Sequence, residues 1–96
     1  MKISATMDEF IEWLKERGYD ERLGEDGMKA LRSLGFSSLL FNNSPLLISF
    51  IFSKLGAPSE RINERVRFEV AKRVNFILAE KNRIEIEIKR FIVDEK

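Results

Sequence analysis

The chain contains no cysteine and no histidine among its 96 residues. Without cysteine it has no disulfide, no thiol nucleophile and no thiolate ligand for a metal. Without histidine it lacks the commonest general base and a usual zinc ligand. The Ser/His and Cys/His arrangements of nucleophilic catalysis are therefore excluded. The sequence predicts no enzyme, no cofactor and no metal site, and acid–base chemistry would have to rely on carboxylates such as Glu9, Glu12 and Glu64.

A strong charge of either sign is also missing, because 17 basic residues nearly balance 16 acidic ones and leave a net charge of +1. A dedicated nucleic-acid-binding domain usually carries a much larger basic excess. The chain is rich in Lys, Arg and Glu and has no glutamine, a composition similar to that of proteins from hyperthermophiles. The composition thus indicates a source more than a function.

No apolar run is long enough to cross a membrane. The most apolar stretch, Pro45 to Phe52, has eight residues, whereas a spanning helix needs about 20. The first residues, MKISATMDEFIEW, lack the apolar segment of a secretory signal. We expect a cytoplasmic protein that forms one domain over residues 1–96, because 44% hydrophobic residues in a chain of this length are typical of a single globular core.

Three helices are predicted in the first half of the chain. Thr6 and Glu9 form a capping box that begins the first helix, which Gly18 ends. Residues 19–27 are interpreted as a loop, either irregular throughout or with one turn of helix, and a second helix follows up to Gly35. Pro45 begins a third helix that is apolar on most sides and therefore central. Residues 36–41 form a connection of undefined type.

A fourth and longest helix is predicted from Pro58 to about Asn82, because apolar residues recur there at helical spacing. The apolar arc consists of Ile62, Val66, Val70, Val74, Ile77 and Leu78. Beyond it, Ile84, Ile86 and Ile88 alternate with polar residues, which favours a strand over a helix for residues 83–93. Such a strand would pair either with Lys2–Thr6 or with the same strand of a second copy. The predicted fold class is mainly α, with four helices and one C-terminal strand.

A second stripe of the long helix mixes cations with aromatic rings and would suit a partner protein or nucleic acid. In the simpler interpretation both phenylalanines pack against another helix or subunit, and the cations pair with Glu64, Glu69 and Glu80. The stripe consists of Arg61, Arg65, Phe68, Lys72, Phe76 and Arg83.

The opening KISATMDEFIEWL resembles the start of ribbon-helix-helix DNA-binding proteins, in which a short strand leads into a helix. The resemblance covers about the first third of the chain, with Gly24 in the place of the family's inter-helix glycine. It implies that Lys2, Ser4 and Thr6 would face the major groove of DNA. The basic, serine-rich turn of the family is replaced here by the acidic EDG of residues 25–27.

These observations favour a non-enzymatic interaction or assembly protein, most simply a homodimer that presents the long helix to a protein partner. Two apolar-containing faces on that helix and an unpaired strand support dimerisation. The alternative hypothesis is a small dimeric nucleic-acid-binding regulator that uses either the N-terminal strand or the basic and aromatic stripe.

Overall fold

The computed structural model describes residues 2–54 and 74–88 of the chain. Their order is β1 (Lys2–Thr6), α1 (Met7–Glu16), α2 (Tyr19–Phe41), α3 (Pro45–Lys54), β2 (Val74–Ala79) and β3 (Arg83–Ile88). The predicted fold class, four helices with one strand, is wrong. The described residues form three helices and a three-stranded antiparallel sheet, an arrangement of helices and strands rather than a mainly helical one.

The sheet has the strand order β1-β3-β2, so the last strand in sequence lies in the centre. β3 pairs antiparallel with both neighbours, and Ile86 lies opposite Ile3 on one side and Phe76 on the other. A register shift between Phe76 and Leu78 marks a bulge in β2. The strand predicted for residues 83–93 is confirmed for Arg83–Ile88, and residues 89–93 lie outside the described part. Of the two partners considered, Lys2–Thr6 pairs with it.

Helix α1 begins where the capping box predicts. The Thr6 side chain accepts a hydrogen bond from the Glu9 backbone N–H at 3.2 Å, and the Glu9 carboxylate accepts one from the Thr6 backbone N–H at 2.9 Å. Phe10, Ile11 and Leu14 then lie on the buried face. These local bonds satisfy amide donors that the first turn of a helix leaves without a partner.

Helix α2 is a chain of three helical segments separated by two glycines. Gly24 (φ 75°, ψ 173°) and Gly35 (φ 80°, ψ 169°) interrupt the helical backbone. Only glycine adopts such conformations without steric cost. Gly35 ends a helical segment as predicted, but the loop predicted for residues 19–27 is wrong, because helical structure flanks Gly24. Residues 36–41 are helical as well.

Helix α3 begins at Pro45 as predicted and buries Leu47, Ile48, Phe50 and Ile51. It is the most apolar of the three described helices. Within residues 2–54 and 74–88, no single helix is long and apolar enough to cross a bilayer. Only α2 and α3 together meet those requirements, and that pair is bent by 82°.

The long fourth helix is wrong at its C-terminal end, where Val74–Ala79 form strand β2. Residues 58–73 lie outside the described part. Apolar residues at 74, 76, 77 and 78 match a helical arc as well as a bulged strand, since the bulge breaks strict alternation. Pairing with β3 decides whether these residues form a helix or a strand, and the local sequence pattern does not show which segments will pair.

The core lies between one face of the sheet and the three helices. The sheet contributes Ala5, Val74, Ile84, Ile86 and Ile88, all buried. The helices contribute the other buried apolar side chains, which are Met7, Phe10, Ile11, Trp13, Leu14, Phe36, Leu39, Leu47, Ile48, Phe50 and Ile51. The opposite face of the sheet carries the polar residues of each strand.

Candidate functional site

The predicted basic and aromatic stripe is not a single surface. Arg61, Arg65, Phe68 and Lys72 lie outside the described residues, whereas Phe76 and Arg83 lie on different strands. Phe76 is opposite Ile86 and packs against the core. Because side chains alternate along a strand, Arg83 points to the other face of the sheet. The two described members of the stripe therefore cannot act together.

Arg83 already has acidic neighbours. Its guanidinium lies 3.9 Å from the Glu80 carboxylate and forms a closer ion pair with Glu85. At these two positions the residues match the simpler interpretation of the stripe, in which the phenylalanines pack against other parts of the protein and the cations form ion pairs.

The predicted DNA-contacting residues Lys2, Ser4 and Thr6 are exposed on the polar face of β1. In the register they lie opposite Glu87, Glu85 and Arg83 respectively. Two carboxylates next to Lys2 and Ser4 oppose the approach of phosphate. The Thr6 hydroxyl is engaged in the capping box, so it is not free to contact a base.

Glu9, one of the carboxylates considered for acid–base chemistry, is a structural cap. Its pKa is lowered, first by the hydrogen bond from the Thr6 backbone N–H and then by the Lys54 ammonium, whose nitrogen lies 3.3 Å from the carboxylate. A general acid at neutral pH needs the opposite shift. Within the described ranges, no group of three or more acidic side chains is arranged to hold a metal ion.

Aromatic side chains from all three helices stack at the end of α1. Trp13 stacks on Tyr19 with ring centroids 6.1 Å apart and meets Phe50 edge-on at 5.5 Å. The Arg17 guanidinium lies 4.4 Å from the centroid of the Trp13 ring. The Trp13 Nε1 atom is buried, and no acceptor among the described residues bonds to it. These rings are core packing with a cationic rim.

A groove of about 430 Å³ separates α1 from the first two segments of α2. Ile11 and Met28 form its apolar part. Charges of both signs surround them, and Arg32 is already paired with Asp8 at 2.9 Å. The remaining lining residues are Lys15, Asp20, Gly24, Glu25 and Lys29. The mixed charges show no preference for an anionic or a cationic ligand.

Among residues 2–54 and 74–88, three large apolar side chains are exposed, namely Leu34 (50%), Phe41 (90%) and Ile77 (46%). All three belong to elements that meet at one junction. The last segment of α2 is bonded to the β2–β3 turn, through Phe36 N–H to the Lys81 carbonyl at 3.0 Å and Ser37 Oγ to the Ala79 carbonyl at 2.6 Å. We call the group Leu34, Phe41 and Ile77 the α2–hairpin junction.

The α2–hairpin junction was not predicted from the sequence. Phe41 is the last residue of α2 and precedes Asn42 and Asn43, which turn the chain. Because the helix ends at Phe41, no following turn covers the ring. The Asn-Asn pair directly after Phe41 is the sequence feature that could have predicted this exposure. The exposure of Ile77 depends on the bulge in β2, for which the sequence has no marker.

No protein-family model matches the chain, and no solved structure matches it. An uncharacterised protein of Archaeoglobus fulgidus is 52% identical over 90 residues, which cover 92% of this chain and 99% of that protein. Identity at this level over nearly the full length of both chains requires a common fold. The chain therefore belongs to the same protein family as this archaeal protein.

Proposed function

We propose that the protein is a non-enzymatic interaction protein that binds another protein chain at the α2–hairpin junction. The observation that carries the proposal is the 90% exposure of the Phe41 side chain. Single exposed apolar residues are common, but an almost bare aromatic ring on α2, together with further exposed apolar side chains on α2 and β2, is typical of a binding surface.

The energetics of the junction support this role. Burying one aromatic side chain at an interface contributes about 2–3 kcal/mol, and aromatic anchors often dominate binding. Exposed charged residues of the β2–β3 turn, Glu80 and Lys81, lie beside the junction. An apolar centre with a polar rim is the usual anatomy of a protein interface.

The junction is also held in a fixed geometry. Gly35 lies directly against Lys81, and backbone hydrogen bonds from Phe36 and Ser37 reach the Lys81 and Glu80 carbonyls at 3.0 and 3.3 Å. These bonds fix the last segment of α2, which carries Phe41, against the hairpin. A surface ordered before binding loses less conformational entropy when a partner arrives.

The alternative, a small dimeric nucleic-acid-binding regulator, has weaker support. Glu85 and Glu87 share the outer face of the sheet with Lys2 and Ser4, and the net charge of +1 gives little long-range attraction to phosphate. Homodimerisation stays part of the proposal, since a nearly neutral chain does not repel its own copies.

The experiment compares the full chain with Phe41→Ser and Phe41→Leu as immobilised baits in an extract of the source cells. We expect a protein that binds the wild type and Phe41→Leu, which keeps an apolar side chain, but not Phe41→Ser. Capture of the same proteins by Phe41→Ser, or of none by the wild type, would overturn the proposal. Salt-sensitive binding to random-sequence nucleic acid, measured by fluorescence anisotropy, would instead favour the alternative.

A further inference from the structure

We infer that the free edge of β1 binds the β1 strand of a second copy, so that two three-stranded sheets join across a two-fold axis. Among the described residues, no strand lies beyond β1 in the sheet. This edge is separate from the α2–hairpin junction, and the direction in which the backbone groups of β1 point determines what can bind to it.

The hydrogen-bond pattern between β1 and β3 fixes this direction. The Met7 N–H donates to the Asn82 carbonyl at 2.8 Å, and the register continues from this pair to Ala5 opposite Ile84 and Ile3 opposite Ile86. In an antiparallel pair, hydrogen-bonded and non-hydrogen-bonded positions alternate. Ile3 and Ala5 therefore bond to β3, whereas the N–H and C=O groups of Lys2, Ser4 and Thr6 point to the free edge.

The capping box removes Thr6 from this edge. Its outward N–H donates to the Glu9 carboxylate at 2.9 Å, as the alternation requires, and its carbonyl begins the hydrogen bonding of α1. Lys2 and Ser4 thus supply the available groups, two donors and two acceptors. So short an edge forms few hydrogen bonds with a long strand of another protein. It matches a strand whose unbonded backbone N–H and C=O groups have the same spacing.

A two-fold axis through Ile3 satisfies all of these groups. It places Lys2 opposite Ser4 of the second copy, and each such pair exchanges two hydrogen bonds, which makes four in the dimer. An axis through Ser4 would instead place Lys2 opposite Thr6, whose N–H is occupied. An axis through Lys2 would bring two like charges together. The Ile3 register is the best of the three.

Side-chain burial favours the same register. Ile3 is only partly buried and packs on the core side of the sheet, at its open edge. With the axis at Ile3, the two Ile3 residues form a non-hydrogen-bonded pair, the type in which side chains approach most closely. Each Ile3 then covers the other, so the apolar layer under the sheet becomes continuous.

The first test removes one donor from the edge. Ser4→Pro deletes an outward N–H without removing a bond to β3, because prolines are tolerated at the open edge of a sheet. Ser4→Ala is the matched control. By sedimentation over a concentration series, we expect wild type and Ser4→Ala to dimerise and Ser4→Pro to dimerise at least tenfold more weakly, with unchanged circular dichroism. A monomeric wild type, or equal dimerisation of Ser4→Pro, would overturn the inference.

The second test checks the register and uses the absence of native cysteine. Residues in a non-hydrogen-bonded pair have Cα atoms about 4.5 Å apart, within the range of a disulfide. Ile3→Cys should therefore form a covalent dimer on mild oxidation, whereas Lys2→Cys, which faces Ser4 of the other copy, should not. Equal cross-linking of both variants would contradict the Ile3 axis. Phe41→Ser should not change dimerisation, so failure here is distinguishable from failure at the α2–hairpin junction.

Discussion

Glu9 shows how one side chain combines local and distant contacts. Its bonds to Thr6 lie within four residues and were predicted from the sequence, because the capping box is a local motif. Its contact with Lys54, at the end of α3, depends on how the helices pack and has no sequence signature. Both contacts favour the ionised carboxylate, which is why its pKa is lowered.

Replacing Glu9 by glutamine should therefore destabilise the protein in a pH-dependent way. The folded-state pKa of Glu9 is below its unfolded value, so its ionised form adds stability at neutral pH, and that contribution is lost as the pH falls through the lowered pKa. We expect the difference in unfolding free energy between wild type and Glu9→Gln to be largest at neutral pH and to vanish in acid. Urea titrations across the acidic range measure it, and a difference independent of pH would contradict the assignment.

At the level of helices and strands, features that depend on neighbouring residues in the sequence were predicted well. Features that depend on strand pairing were not. The start of α1, the start of α3 at Pro45 and the alternation of β3 depend on neighbouring residues, and the structure confirms all three. The helix predicted over 74–79 is a strand because β3 lies beside it. The predicted stripe failed for the same reason, since it assumed one helix for Phe76 and Arg83.

The two breaks in α2 should differ sharply in their tolerance of a side chain. Alanine at Gly24 meets no atom within 4 Å and adds only backbone strain of about 1–3 kcal/mol. Alanine at Gly35 bears the same strain and also places its Cβ 2.8 Å from the Lys81 Cα and 2.9 Å from the Lys81 carbonyl oxygen. We expect Gly35→Ala to lower the unfolding free energy by a further ~1–3 kcal/mol. If chemical denaturation shows equal losses of unfolding free energy for Gly24→Ala and Gly35→Ala, the close contact between Gly35 and Lys81 is disproved.

At the scale of the whole molecule, Phe10 joins the three helices. Its ring, fully buried, lies 5.8 Å from the Phe36 ring of α2 and 5.0 Å from the Phe50 ring of α3, measured between centroids. Aromatic side chains packed at these distances contribute beyond the area that they bury. The apolar face of α1 was predicted from its periodicity, but its aromatic partners on the other helices were not.

Alanine substitutions at Phe10 and Phe41 should therefore have very different effects on stability, although both residues are phenylalanines on helices. We expect Phe10→Ala to lower the unfolding free energy by about 3–5 kcal/mol because it leaves a cavity among aromatic rings. Phe41→Ala should change it by no more than ~0.5 kcal/mol, since the ring is exposed. Thermal and urea unfolding of both variants check this pair. A large loss of unfolding free energy for Phe41→Ala would mean that the residue stabilises the fold and is not reserved for binding a partner.

The central position of β3 has a consequence for how the chain folds. Lys2 of β1 pairs with Glu87 of β3, so the two strands lie far apart in the sequence. Closing so long a loop costs entropy before any pairing is gained, whereas β2 and β3 are joined by a short turn and form locally. During synthesis, β1 cannot pair until β3 has been made. The sheet should therefore complete late, and the rate-limiting step of refolding should be the docking of the N-terminal strand onto a preformed hairpin.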